Sequence, residues 1–261
     1  MAKPRLSTIK LIHRGDAPVA TMMLNRPDRL NALSRQTLRD VVTACRWLDE
    51  TSVIKTVVVR GAGRAFSAGF DLDDFQSLGD QGSARDNADL GRLAAEALTD
   101  CRPITVVAIH GHCVGGGLVL AAACDLRLAS DTVRFSIPEV DLGIPLAWGG
   151  IPRLVRELGP AMTKELVLTC RPFGAEEAHA LRFLNRVVPE DRLFDEADAL
   201  AAELACKPTF SLRATKTHVN AVMEDLAGTR RNANDADTLI AALADEESRA
   251  TSRAYLKSKQ H

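Results

Sequence analysis

Aromatic residues are scarce in this chain. Phe, Trp and Tyr make up 4% of its 261 residues, with a single Tyr, so stacking of nucleobases on aromatic platforms is not expected. Charge of one sign is lacking too. With 33 Lys plus Arg against 34 Asp plus Glu, the formal net charge is -1, which leaves no large field to recruit nucleic acid or an anionic membrane. No stretch approaches the roughly 18 apolar residues of a spanning helix, and the N-terminus leads into no apolar targeting segment. The six cysteines, Cys45, Cys101, Cys113, Cys124, Cys170 and Cys206, form no C-x-x-C pair and meet no His at zinc-finger spacing, so no metal site is expected. Each reads as a small buried hydrophobe in a cytoplasmic protein with reduced thiols.

Apolar residues make up 46% and charged ones 26% of the chain, which is ordinary for a globular protein with a real core, in one large domain or two smaller ones. Ser7–His13 and Val19–Leu24 flank the turn-prone Arg14–Pro18 and predict an opening hairpin. From Ser34, an N-cap, the residues Leu38, Val41, Val42, Cys45 and Leu48 recur at helical spacing until Asp49. The β-branched run Thr56–Val59 predicts a strand closed by Gly61 and Gly63. The polar stretch between Gln76 and Asp89 reads as a mobile surface segment. After it, Leu90, Leu93, Ala94, Ala97, Leu98 and Cys101 mark a helix face that Pro103 terminates. A buried strand, Ile104–Ile109, a short helix, Gly117–Ala123, and a strand, Asp125–Ala129, follow. Strands alternating with helices imply an α/β fold. Beyond Gly150 only Asn185–Val188 resembles a strand; Glu190–Cys206, Ser211–Leu226 and the charged tail Asp235–Lys259 read as helical. A composition shift near residue 200 divides an α/β core, 1–200, from a helical region, 201–261.

Two glycine turns carry the chemistry. Gly63-Arg-Ala-Phe-Ser-Ala-Gly-Phe-Asp-Leu72 and Ile109-His-Gly-His-Cys-Val-Gly-Gly-Gly-Leu118 each follow an apolar strand and precede a helix start, where N–H groups are unpaired and lie at the positive end of the dipole. Such amides can hold a developing oxyanion, although on spacing alone the glycines serve equally as tight turns. G-x-x-x-G-G-G is not a dinucleotide fingerprint, and no P-loop Lys follows. Ser67 lies outside any G-x-S-x-G elbow, which disfavours a serine hydrolase. Glu139, fixed by Pro138 and flanked by Ile137, Val140 and Leu142, is the carboxylate candidate, because a dry surround raises its pKa toward the range of a proton shuttle. Asp141 shares its side only in an extended segment, and for either residue a solvated loop is the commoner state. His110 and His112 flank Gly111; a histidine packed at a strand end is the commoner reading.

At these residues the chain resembles the enoyl-CoA hydratase/isomerase, or crotonase, family. The resemblance runs from Leu24-Asn-Arg-Pro-Asp-Arg-Leu-Asn-Ala-Leu33 through both glycine turns to Cys124-Asp-Leu-Arg127 and Pro138-Glu-Val-Asp-Leu-Gly143. It implies an α/β spiral of β-β-α units with a C-terminal helical trimerisation region, a homotrimer or dimer of trimers, and an acyl-CoA thioester substrate with no cofactor beyond its CoA. It places the oxyanion hole on the N–H groups of Phe70 and Gly116 and the proton shuttle on Glu139. It puts Arg29, Leu30, Arg64, Ala65, Ser67, Ala68, Asp71 and Leu72 along the CoA side and Trp148 against the acyl tail. Family hydratases present a second glutamate three residues after the oxyanion-hole glycine, where this chain has Val119. A lone glutamate is the pattern of members that move a double bond, so the residues lean to isomerisation while the family name defaults to hydratase. The further acid of dienoyl-type members, near Ala147, is absent. The alternative is a catalytically weak acyl-CoA-binding protein.

Overall fold

The computed structural model describes residues 2–76, 84–229 and 234–258. The opening hairpin is present: β1 (Ile9–Ile12) and β2 (Val19–Leu24) pair antiparallel, and alternate residues Ala20, Met22 and Leu24 are buried, the period-two pattern of a strand with one face on the core. Ser34 caps α1 (Arg35–Glu50) by accepting the Thr37 N–H. Then come β3 (Thr56–Gly61), α2 (Leu72–Gln76), α3 (Ala84–Asp100), β4 (Ile104–Ile109), β5 (His112–Val114), α4 (Gly116–Ala122), β6 (Leu126–Ser130) and β7 (Arg134–Ser136). The chain continues through α5 (Gly150–Leu158), α6 (Pro160–Thr169), β8 (Phe173–Gly174), α7 (Ala175–Ala180), β9 (Arg186–Val188), α8 (Leu193–Ala205), α9 (Thr209–Ala227), α10 (Asp235–Ala244) and α11 (Glu246–Ser258).

The larger sheet has the order β1-β2-β3-β4-β6-β9, parallel from β2 onward. Its central strands are covered on both faces and so read as near-continuous apolar runs. Val57, Val59, Val107 and Ile109 face a core shared with α1 and α3. Val58, Val106, Ala108 and Leu128 face Leu193, Ala197, Leu200 and Ala201 of α8. That helix straddles residue 200, so a division there falls inside an element packed on the sheet.

Four readings change. Residues 77–83 of the polar stretch lie outside the described residues, as does Lys259, but 84–89 are helical rather than surface loop. On α3, Ala94 and Leu98 are buried as expected, but Leu93 is exposed and the small Ala88, Gly91 and Ala95 complete the buried face, where their size allows close approach to the neighbouring elements. A second sheet, β5-β7-β8, went unread: strands of two or three residues give no period to detect. Finally, Cys206 is exposed; the other five cysteines are buried.

β3 and β4 are neighbours, so both glycine turns leave the same end of the sheet, where ligands bind in open parallel folds. Asn31 holds the first turn. It sits at φ +54°, a left-handed conformation that Asn tolerates better than most residues. Its buried side chain accepts the Arg26 N–H at 2.9 Å and donates to Ala62 O and Ala65 O, each at 2.8 Å. Bridges Ser67↔Cys113 and Leu33↔Phe70 then tie that turn to the second one and to the segment before α1. Asn31→Ala strands these buried partners and is expected to lower the unfolding free energy by about 2–4 kcal/mol; urea denaturation showing a loss below about 1 kcal/mol would rule out this clasp as a main support.

Candidate active site

Phe70, Gly116 and Glu139 line one narrow inner cavity, with Val119, Trp148 and other apolar side chains completing its wall. The Phe70 N–H donates to no described residue, because the bridge to Leu33 uses the atoms on either side: Leu33 N–H donates to Gly69 O at 2.8 Å and Asp71 N–H to Leu33 O at 3.1 Å. The Gly116 N–H opens α4, where helical geometry supplies no acceptor. Two free amides therefore border a cavity whose other polar functions are few, the arrangement that stabilises charge developing on a carbonyl oxygen.

Glu139 is held by a turn. Leu142 N–H donates to Pro138 O at 3.0 Å and Ile144 N–H to Glu139 O at 2.9 Å, so the segment is not extended, and Asp141 is left exposed, away from Glu139. The carboxylate reaches back over Gly115, at φ +48°, where a Cβ would collide with Glu139 Oε1. Its Oε2 is buried without a hydrogen-bond partner. Glu139 is the only ionisable group among the described residues lining the cavity. Burial with no compensating charge pushes its pKa up to about 7, in the range where one group can both take and give a proton near neutrality. Val119, 1% exposed, adds an apolar surface to the same cavity wall.

An outer cavity of about 400 Å³ adjoins through Phe70 and is lined by Arg29, Ala68, Asp71, Leu72 and, from α11, Leu256. Arg29 makes an exposed ion pair with Asp73 at 3.3 Å. The Asp71 carboxylate turns inward to Arg26 at 2.7 Å and accepts the Asp73 N–H at 3.0 Å, which starts α2. Leu30, Arg64, Ala65 and Ser67 line neither cavity. Arg64 is exposed on its turn and Leu30 is half-buried, its carbonyl accepting the Ala68 N–H at 2.9 Å. Ala65 and Ser67 are fully buried; the Ser67 hydroxyl donates to Asn31 O at 2.9 Å, a scaffold bond. His110 is also structural: its Nε2 donates to Gly63 O at 2.9 Å, its ring packs edge-on against Phe194, and burial lowers its pKa. His112 is exposed.

Trp148 packs edge-to-face on Phe70, ring centroids 5.4 Å apart. Several lining residues carried no sequence signal, among them Phe75, Ala88, Ile144 and Leu239. Leu239 comes from α10, which packs on Ala88 and beside Phe70.

A family model described as Enoyl-CoA hydratase/isomerase matches residues 14–261. "Probable enoyl-CoA hydratase echA8" of Mycobacterium bovis is 37% identical over 211 residues, 80% of each chain. "Crotonyl-CoA hydratase" of Syntrophomonas wolfei is 31% identical over 215 residues, 82% of each. Among solved structures, an enoyl-CoA hydratase/isomerase from Mycobacterium paratuberculosis superposes with a TM-score of 0.85 at 26% identity, covering 95% of this chain and 99% of that one. An enoyl-CoA hydratase/carnithine racemase from Magnetospirillum magneticum gives a TM-score of 0.79 at 32% identity, covering 84% and 82%.

The raised Glu139 pKa links stability to pH. Against an ordinary 4.5, a folded value of about 7 means that the stability contributed by the protonated group is fully present below pH 4.5, declines as the pH rises through 7 and stays low above it. Glu139→Gln removes that penalty and is expected to raise the unfolding free energy by about 3 kcal/mol at about pH 8 and by little at about pH 4. Urea titrations at both pH values test this, and an equal effect at the two would exclude burial of the charge as its cause.

Proposed function

We propose that this chain, which belongs to the enoyl-CoA hydratase/isomerase family, moves the double bond of an enoyl-CoA thioester from the 3,4 to the 2,3 position. Family membership supports an enzyme acting on CoA thioesters; the lone buried carboxylate among apolar walls is the observation that carries the finer reading. In this mechanism the thioester oxygen sits between the Phe70 and Gly116 amides. Glu139 takes a proton from C2, and the C–H electron pair flows into the C1–C2 bond while the carbonyl π pair moves onto oxygen, where the amides hold it. The same carboxyl, now protonated, returns the proton at C4. The C3–C4 π pair takes that proton, the C1–C2 pair moves to C2–C3, and the oxygen's pair restores the carbonyl. No water takes part, and none is needed.

Hydration asks for more. Adding water across the 2,3 bond needs a group to take a proton from water while another delivers one to carbon, and Val119 offers no such function. The CoA moiety lies, in this reading, along the outer cavity past Arg29, Ala68 and Leu72, and no cofactor is required beyond it. Among the described residues no helix is long and apolar enough to cross a membrane, which agrees with a cytoplasmic setting. The exposed Phe210, Val219, Val222 and Leu226 of α9 support self-association as a homotrimer or dimer of trimers.

Incubation with 3-enoyl-CoA should give 2-enoyl-CoA with no change of mass, and with 2-enoyl-CoA little gain of water. Glu139→Gln should lower kcat by about 10²–10⁴-fold, and the wild-type rate should rise with pH on a limb near pH 7, as the carboxyl ionises. Full activity in Glu139→Gln would overturn the mechanism. Val119→Glu should create or raise hydration, read as the mass of one added water; no hydration would count against the missing-carboxylate argument. Acyl-CoA binding with no turnover of either isomer would instead favour the catalytically weak binding protein.

A further inference from the structure

Trp148 occupies the acyl end of the inner cavity in a way that ordinary core packing does not require. Its backbone sits at φ +63°, a conformation that a bulky residue adopts only where the surroundings impose it. The bend is held just after Trp148 from two elements, α10 and α5. Gly149 N–H donates to Asp235 at 2.6 Å. Arg153, 2% exposed, donates to Trp148 O at 3.3 Å and Gly149 O at 3.2 Å, and to Thr99 Oγ1 of α3 at 3.1 Å, so one arm of a buried cation holds this loop.

The indole then lies across two helices that make room for it. A Cβ on Gly91 of α3 would collide with Trp148 Cδ2 and Cε2, and one on Gly116 of α4 with Cζ3. Trp148 is 7% exposed. On its other side it meets Phe70, which separates the inner from the outer cavity. What remains free is about 40 Å³, room for only a few atoms the size of water.

We infer that the clamped Trp148 ring is a length stop, so that the substrate is a short acyl thioester of about four carbons, its carbonyl at the Phe70 and Gly116 amides and its few remaining carbons filling the cavity. This rests on the reading of the site as one for enoyl-CoA, and extends it to the class of acyl group. Phe70 sets the entrance to the same space and Trp148 its floor.

The test compares 3-enoyl-CoAs of four, six, eight and ten carbons in steady state, alongside calorimetric binding of the matching saturated acyl-CoAs, for wild type, Trp148→Leu and Trp148→Phe. In the wild type, kcat/KM and affinity for the acyl part should fall by about tenfold or more between the four- and eight-carbon thioesters. Trp148→Leu should raise the eight-to-four-carbon ratio by about tenfold or more, with Trp148→Phe between. If Trp148→Leu does not melt cooperatively, the wild-type profile and Trp148→Phe decide. Rates and affinities that are level or rise with length in the wild type, or a ratio unmoved by either substitution, would overturn the length stop while leaving the isomerase reading intact. A length cut-off in binding with no turnover of any enoyl-CoA would uphold the stop and sink the isomerase reading. Failure to bind any acyl-CoA would remove both.

Discussion

Holding the Glu139 carboxyl among apolar walls costs free energy that a loosely built surround would release by admitting water or letting the side chain swing out. The fold meets that cost with rigidity. The turn from Pro138 to Ile144 closes on its own backbone, Gly115 gives up its Cβ to let the carboxylate lie against the backbone that leads into α4, and Val119 and Trp148 fill the space that solvent would take. In the proposed reaction the penalty has a use, since a carboxyl balanced between its two protonation states can lend and recover a proton within a single turnover.

The two amides have a different origin. They are by-products of topology: β3 and β4 run side by side and parallel, so the chain leaves both at the same end and must turn twice within a small space. Close contacts at those turns spend most backbone groups on one another. The Phe70 N–H is left over on one side, and the Gly116 N–H at a helix start on the other. Because these N–H groups are main-chain atoms, the Phe70 side chain is free to act as a partition between the two cavities without disturbing them.

The hairpin, α1, β3 and β4 were legible in the sequence because their apolar residues recur at the period of the element they build, and capping and turn residues bound them. The three-residue strands of the second sheet offer no period. On α3, Ala94 and Leu98 were read correctly as inward, whereas Leu93 is exposed and Ala88, Gly91 and Ala95, too small to signal burial, are buried by closeness rather than bulk. In the site, Phe70, Gly116 and Glu139 could be named because each stands in a local motif, and they line one cavity. Ala65 and Ser67 share a motif with Phe70 but are turned into the scaffold, since an extended segment alternates its faces. Leu239, Asp235 and Arg153 had no local signature at all. Their part comes from tertiary packing, and a helix that follows Glu139 by about a hundred residues in the chain gives no sign of where it will lie.

That distance has a further meaning. Asp235 reaches Gly149 across 86 positions, and Ser252 donates to Leu142 O at 2.6 Å across 110, so the loops that carry Trp148 and Glu139 are pinned by segments made long after them. Contacts of such separation close late in folding, because chain entropy must be surrendered before they reward it. On a ribosome, the sheet and its two glycine turns can form while α10 and α11 are still unsynthesised, leaving the carboxylate wet and the Trp148 loop held by Arg153 without Asp235. The dry pocket is then the last part of the molecule to come into being, and the chain passes through a state with its scaffold in place and its chemistry not yet armed.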